Sequence, residues 1–218
     1  RPFIQPLSRM GKTPGWLSET ARLARASGRP DLAVLVAKLG LAKGINLVEA
    51  GYPRLASSVL SYRLEAPFIH ALIRQESAFN SEAISHAGAR GLMQLMPATA
   101  MRVAKRHRIP YHKSRLIKDA GYNLRIGQTF LVELLASFSN SYVLTLAAYN
   151  AGPNRVRRWI KLNGDPRDPS VDAIDWIELI PFSETRNYVQ RVLENLHIYR
   201  EMAADNQMAF NPEALLRR

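Results

Sequence analysis

Pro67-Phe68-Ile69-His70-Ala71-Leu72-Ile73-Arg74-Gln75-Glu76-Ser77 is the stretch on which the reading of this chain turns. Phe68, Ile69, Leu72 and Ile73 recur at helical spacing. Glu76 follows Ile73 and Leu72 by three and four residues, which puts its carboxylate on the same face. A surface helix places its Glu on the opposite side. A carboxylate aimed into an apolar cleft near a helix C-terminus is desolvated and meets an unfavourable dipole, and both favour the protonated form. Such a group is suited to donate a proton near neutral pH. The helix alone leaves a second reading open, in which Glu76 is partly buried and paired with an Arg or capped by a Tyr.

Outward from this stretch the pattern is helical nearly throughout. Thr13-Pro14 opens a helix over residues 14–27, and Gly28 and Pro30 break it. Asp31 to Lys43 reads as a second helix with Leu32, Leu35, Val36 and Leu39 on one stripe and Gly44 as its stop. Tyr52-Pro53 is read as the start of a further short helix ending near Arg63. These units resemble the hairpins of a helical solenoid. Downstream, Ser81 to Gly91 is a polar loop, Pro97 opens a helix that runs to about Arg108, and Asp119 to Phe138 is a long amphipathic helix. Tyr142 to Asn150 is a short apolar helix ended by Gly152-Pro153, and a loop follows over Asn163 to Pro169. The last helix is read as starting with Ser183 as its N-cap and carries the stripe Tyr188, Val189, Val192, Leu193, Leu196, Tyr199. Residues 205–218 read as a tail. No strand of about five residues or more is visible, and only a two- or three-residue β pairing within 81–94 is allowed. The expected fold class is therefore all-α with at most a tiny β element.

Composition narrows the function classes. The chain has 218 residues, 47% of them hydrophobic and 22% charged, which suits a sizeable core and argues against global disorder. No run of about 18 apolar residues predicts a membrane span. Arg1 in place of an initiating Met reads as a mature or shortened chain, so the lack of a signal peptide excludes little. With no Cys, disulfides, thiolate nucleophiles and Cys-based zinc sites are excluded. His70, His86, His107, His112 and His197 show no paired metal-ligand spacing, so no metal or other cofactor is expected. Neither a phosphate loop nor a GxSxG elbow is present. Thirty Lys and Arg against 18 Asp and Glu give a net charge of +12, which draws polyanions such as nucleic acid, anionic lipid or an acidic cell-wall polymer. Two clusters stand out, Arg102, Lys105, Arg106, Arg108 and Arg155, Arg157, Arg158, Lys161.

Four segments remain to carry chemistry: Gln75-Glu76-Ser77, Gly91-Leu92-Met93-Gln94-Leu95-Met96-Pro97, Ala148-Tyr149-Asn150-Ala151-Gly152 and Ile180-Pro181-Phe182-Ser183-Glu184-Thr185. At these residues the chain resembles the catalytic domain of soluble lytic murein transglycosylases, the lysozyme-like enzymes that cleave peptidoglycan. The resemblance spans about residues 66 to 200, with the four segments in the family's order. It implies a lysozyme-like catalytic domain over 66–204, preceded over 1–65 by helices of the solenoid or linker type. It also implies that Glu76 is the catalytic acid, cutting the β-1,4 bond between N-acetylmuramic acid and N-acetylglucosamine. Most glycosidases need two carboxylates, and this pattern supplies one. The substrate's 2-acetamido group is then the natural nucleophile, and Glu76 the base that takes the C6 hydroxyl proton to give a 1,6-anhydro product. By the same resemblance Tyr149, Gln94 and Met96 line the active site, Met93 being core filler. Asn150 holds either a sugar amide or the helix C-terminus. Glu184 is a supporting residue beside a helix N-terminus, and Ser77 supports the helix end or the cleft. The implied partner is the peptidoglycan glycan strand, with no nucleic acid and no membrane span, in the periplasm of a Gram-negative bacterium. Two alternatives stay open: a goose-type lysozyme-like hydrolase, in which water replaces the C6 hydroxyl, and a non-catalytic basic helical module that binds cell-wall polymer or nucleic acid.

Overall fold

The N-terminal helices follow their punctuation closely. The computed structural model describes residues 3–204, so the expected tail at 205–218 lies outside the described residues. α1 (Ile4–Met10) leads into α2 (Pro14–Ala26), where Pro14 sits in the first turn and Thr13 Oγ1 accepts the Trp16 amide at 3.3 Å. α3 (Pro30–Leu41) starts on Pro30 and is buried on more than the expected stripe, since Ala33, Val34 and Ala37 join Leu32 and Val36 in the interior. Its last turn ends before Lys43. The Lys43 ammonium instead donates to the carbonyls of Ser8, Arg9 and Gly11, the closest at 2.6 Å, and so satisfies the open C-terminal end of α1. α4 (Val48–Gly51) closes this bundle, whose core is formed by Ile4, Leu17, Ala21, Ala24, Leu32 and Val36.

The expected helix from Tyr52 to Arg63 is not formed; only a 3-10 turn over Ser57–Val59 is present. Pro53 accounts for its failure to start there. The ring disfavours the α region for the preceding residue, and Tyr52 takes φ −129°, ψ 68°.

α5 (Ala66–Ser77) carries the opening stretch and differs from a one-stripe helix. All six residues from Phe68 to Ile73 are buried, His70 and Ala71 included. α6 (Pro97–Arg106) starts on Pro97 as expected, and Arg108 at φ 53° turns the chain away after it. α7 (Arg115–Lys118) leads to α8 (Ala120–Ser137). Asp119 caps α8 by accepting the Tyr122 amide at 2.9 Å, and hydrogen bonding from Arg115 holds its carboxyl below the ordinary range. α9 (Tyr142–Ala151) is capped by Ser141 and buried continuously from Tyr142 to Ala148. Gly152 at φ 93° then lets the chain turn directly into α10 (Pro153–Asn163), and the short α11 (Ala173–Glu178) is capped by Asp172. α12 (Ser183–Glu201) buries its whole predicted stripe. The N-cap is Phe182 and not Ser183, because Phe182 keeps extended backbone after Pro181 and Ser183 already has helical geometry. Among the described residues there is no strand, only isolated bridges pairing Arg90 with Ile84 and with Leu95.

The chain divides into two compact units. One holds residues 1–60 and 76–125, the other 61–75 and 126–218. In the second unit α5 is fixed along its length. Glu65, at its N-terminal edge, accepts from Tyr142 Oη at 2.7 Å and from Arg200 Nη2 and Nε at 2.5 and 3.1 Å. The Phe68 ring stacks on Tyr142 with centroids 4.2 Å apart, His70 lies against Tyr199 at 5.3 Å, and Arg74 Nη1 donates to Asn195 Oδ1 at 2.6 Å. Residues 65, 70 and 74 thus meet 200, 199 and 195, an antiparallel pairing of α5 with α12. Full burial of Phe68, Ile69, Leu72 and Ile73 contributes up to about 1.5–3 kcal/mol each against an extended unfolded chain.

Candidate active site

In the first unit, Glu76 is half-buried in the last turn of α5 and is followed by a sharp stop. Ala78 and Phe79 both adopt left-handed backbone, at φ 50° and 67°, and the Ser77 carbonyl accepts the Asn80 amide at 3.0 Å. Two consecutive non-glycine residues in this region cost about 1–3 kcal/mol each. Phe79 is 3% exposed, so the burial of its ring offsets the strain. Ala78 has no such compensation. Ala78→Gly is therefore expected to raise stability by about 0.5–1 kcal/mol, read as a higher urea midpoint at unchanged m-value. A lower midpoint would show that the strain is not in the backbone of Ala78.

Gln94 and Met96 sit on a tight hairpin. Arg90 and Leu95 exchange both backbone hydrogen bonds at 3.0 Å, and Gly91 to Gln94 form the turn between them. Gly91 at φ 75° cannot be another residue, since a Cβ there would lie 2.1 Å from the Leu116 carbonyl oxygen. The turn drives Leu92 and Met93 inward, at 4% and 0% exposure, so Met93 is core as expected. Gln94 is half-buried at φ 43°, and its amide group donates to the carbonyls of Ala83 and Gly91 at 3.1 and 2.8 Å. Both amide hydrogens hold the loop, and Oε1 is the part left for a ligand, as an acceptor only. Met96 is 43% exposed at the N-cap of α6, an adaptable apolar surface beside the turn.

The hairpin is held by a residue that periodicity did not single out. Asn123, fully buried on α8, accepts the Met93 amide at 2.9 Å and donates to the carbonyls of Arg90 and Leu116 at 2.8 and 2.9 Å. The Met93 amide and the Leu116 carbonyl thereby gain a partner, and the Arg90 carbonyl a second one beside the Leu95 amide. Only its place as the polar residue between Tyr122 and Leu124 in a helix interior could have drawn attention to it.

In the second unit, Tyr149 and Asn150 lie half-buried at the end of α9. The Tyr149 ring is 5.4 Å from that of Phe130. Asn150 Oδ1 accepts the Thr185 hydroxyl at 2.6 Å, so the end of α9 and the start of α12 are pinned together. The Asn150 amide nitrogen has no partner among the described residues and is a free donor. Thr185 is 1% exposed, and its role was not read from the sequence although it closes the fourth segment. Glu184 is exposed in the first turn of α12, where the helix dipole favours it, and makes no hydrogen bond or ion pair with a described residue. Among the described residues no group of His, Cys, Asp and Glu could hold a metal ion.

The chain belongs to the family of Transglycosylase SLT domains, whose model matches residues 56–170. A second model, the Soluble lytic transglycosylase helical domain, matches residues 179–207. The soluble lytic murein transglycosylase of Escherichia coli K12 is 43% identical over 136 residues, covering 62% of this chain and 20% of that protein. The structure of the 70 kDa soluble lytic transglycosylase from Escherichia coli matches with a TM-score of 0.79 and 34% identity, over 90% of this chain and 32% of that one. An inactive glutamate-to-glutamine mutant of the lytic transglycosylase Slt from Pseudomonas aeruginosa matches with a TM-score of 0.75 and 36% identity, over 92% and 32%. The chain thus spans between a fifth and a third of the length of these relatives, and the expected helical fold class and family are borne out.

Proposed function

We propose that this chain is the catalytic part of a lytic murein transglycosylase, with residues 66–204 as the catalytic region and 1–65 as its helical lead-in. The substrate is the peptidoglycan glycan strand, cut at the β-1,4 bond between N-acetylmuramic acid and N-acetylglucosamine. The observation that carries the reading is the family match across residues 56–170, which contains Glu76, Gln94, Met96, Tyr149 and Asn150 in one ordered set.

On this reading Glu76, half-buried at the end of an apolar helix, protonates the leaving glycosidic oxygen. The substrate's own acetamido oxygen attacks the anomeric carbon and forms an oxazolinium ion. Glu76, now a carboxylate, removes the proton from the C6 hydroxyl. That oxygen closes on the anomeric carbon, the acetamido group is released, and no water is consumed. Tyr149 and the free Asn150 amide are the donors suited to the acetamido group, Gln94 Oε1 and Met96 face a sugar with an acceptor and an apolar surface, and Ser77 and Glu184 support the site. The names of the relatives favour a cell-wall location, and with it the periplasm. No helix among the described residues is long and apolar enough to cross a membrane.

End-group analysis of digested murein by mass spectrometry tests the reaction type. Muramic acid products ending in 1,6-anhydro rings are expected. Reducing ends in their place would make the enzyme a hydrolase of the goose-lysozyme type, and an absence of any cleavage would leave a binding module.

A further inference from the structure

The positive charge of this chain is concentrated in one segment. Between Glu82 and Asp119 there is no acidic residue, while eight Lys and Arg occur there out of thirty in the chain. Arg102, Lys105 and Arg108, with Lys113 after them, are exposed on α6 and the connection that follows it. The side chains of Lys105, Arg108 and Lys113 make no hydrogen bond or ion pair with a described residue, and Arg102 reaches only Thr99 Oγ1 at 3.3 Å. The other basic cluster is used differently. On α10, Arg155 donates to the Ala151 carbonyl and lies over the Phe182 ring, and Arg157 bonds Asn154 and lies over Phe138. Two of its four cations are thus drawn into local contacts, while Arg158 and Lys161 stay exposed.

A face this basic is self-repelling and needs an anionic partner to be of use. Met96 is the N-cap of α6, which is ten residues long, so Arg102 and Lys105 lie within about 15 Å of the hairpin that carries Gln94 and Met96. The apolar side of α6 is already occupied by its own core residues Ala100, Val103 and Ala104, so the helix has no face left to insert into a bilayer. We infer that the α6 face docks the carboxylate-bearing peptide stems of the same glycan strand that the site cuts. The inference rests on the proposed murein substrate and adds to it a preference: with a stem attached, the lactyl carboxyl of each muramic residue is a neutral amide, so the stems supply the anions. Charge contacts of this exposed kind act mainly on capture and are screened by salt.

The test compares wild-type protein with a combined Arg102→Gln, Lys105→Gln, Arg108→Gln, Lys113→Gln variant, checked for an unchanged melting temperature. Binding is measured to glycan strands immobilised on beads, with intact stems and after an amidase has stripped them and the lactyl carboxylates so freed have been converted to neutral amides, at rising sodium chloride. Product release is followed on both substrates. Wild type is expected to bind stem-bearing murein about tenfold tighter than stripped murein, an advantage lost at molar salt and absent in the variant. Turnover of stripped glycan should be the same in both proteins. An undiminished stem preference in the variant overturns the inference, as does an equal loss on both substrates. So does a variant that loses only its binding to vesicles of anionic phospholipid, which would assign the face to a membrane surface. If wild type releases no anhydro ends yet shows the salt-sensitive stem preference, the proposed reaction fails while the docking face stands.

Discussion

Glu76→Gln is expected to lower turnover by about 10³–10⁴-fold while leaving the melting temperature unchanged. Glu76 acts twice on the proposed route, first as the acid on the leaving oxygen and then as the base on the C6 hydroxyl. Gln has nearly the same shape and cannot do either. The position is half-buried in the last turn of α5, so an isosteric amide fits without opening a cavity. The second Glu among the segments cannot substitute for it chemically. Glu184 is exposed in the first turn of α12 and is not set on an apolar helix face. Glu184→Gln should therefore change turnover far less than Glu76→Gln. Wild-type turnover in Glu76→Gln would remove this carboxylate from the mechanism, and a fall in melting temperature of many degrees would recast it as structural.

Asn123→Ala should be the most damaging single change away from the reacting carboxylate, at about 3–5 kcal/mol. Its side chain is completely buried and makes three hydrogen bonds, to the Met93 amide and the carbonyls of Arg90 and Leu116. Truncation removes all three bonds from a dry environment; the Arg90 carbonyl keeps its bond from the Leu95 amide, while the bonds to the Met93 amide and the Leu116 carbonyl are lost at about 1–3 kcal/mol each. Water cannot take over readily, because the Gly91 backbone lies against the same spot so closely that a Cβ would meet Asn123 Nδ2 at 2.3 Å. The variant should unfold at a distinctly lower urea concentration. It should also lose activity beyond what its folded fraction explains, since the hairpin presenting Gln94 and Met96 loses its anchor. A stability change below about 0.5 kcal/mol would mean that the loop holds itself.

The elements that the sequence disclosed are those whose ends carry local chemistry. Thr13-Pro14 and Pro97 marked helix starts through the fixed φ of proline and the cap of Thr13, Gly152-Pro153 marked the end of α9 but not the start of α10, and α12 was legible from its stripe. What was misread depended on partners distant in sequence. α5 looked amphipathic because only four residues formed its stripe, yet Tyr199 and the rest of the unit bury His70 and Ala71 as well. The misread helix at Tyr52 gave too little weight to the restriction a proline places on the residue before it. In the site, Glu76 stood out because a charged residue broke an apolar pattern. Asn123 and Thr185 did not, since a buried Asn or Thr becomes legible only when the carbonyl or amide that it satisfies is known. Gln94 was singled out through the family resemblance alone, and the commitment of its amide hydrogens to Ala83 and Gly91 depends on a turn that no periodicity reveals.

The antiparallel pairing of α5 with α12 has a consequence for how the chain folds. The Arg200 contact to Glu65 closes a separation of 135 residues, and the Arg74 contact to Asn195 one of 121. Loop closure on that scale carries an entropy cost that shorter-range contacts must first reduce. A ribosome also delivers α12 more than 100 residues after α5. The buried helix that ends in Glu76 therefore waits for α12 before its covering is complete, and its register is locked only once that distant pairing has formed.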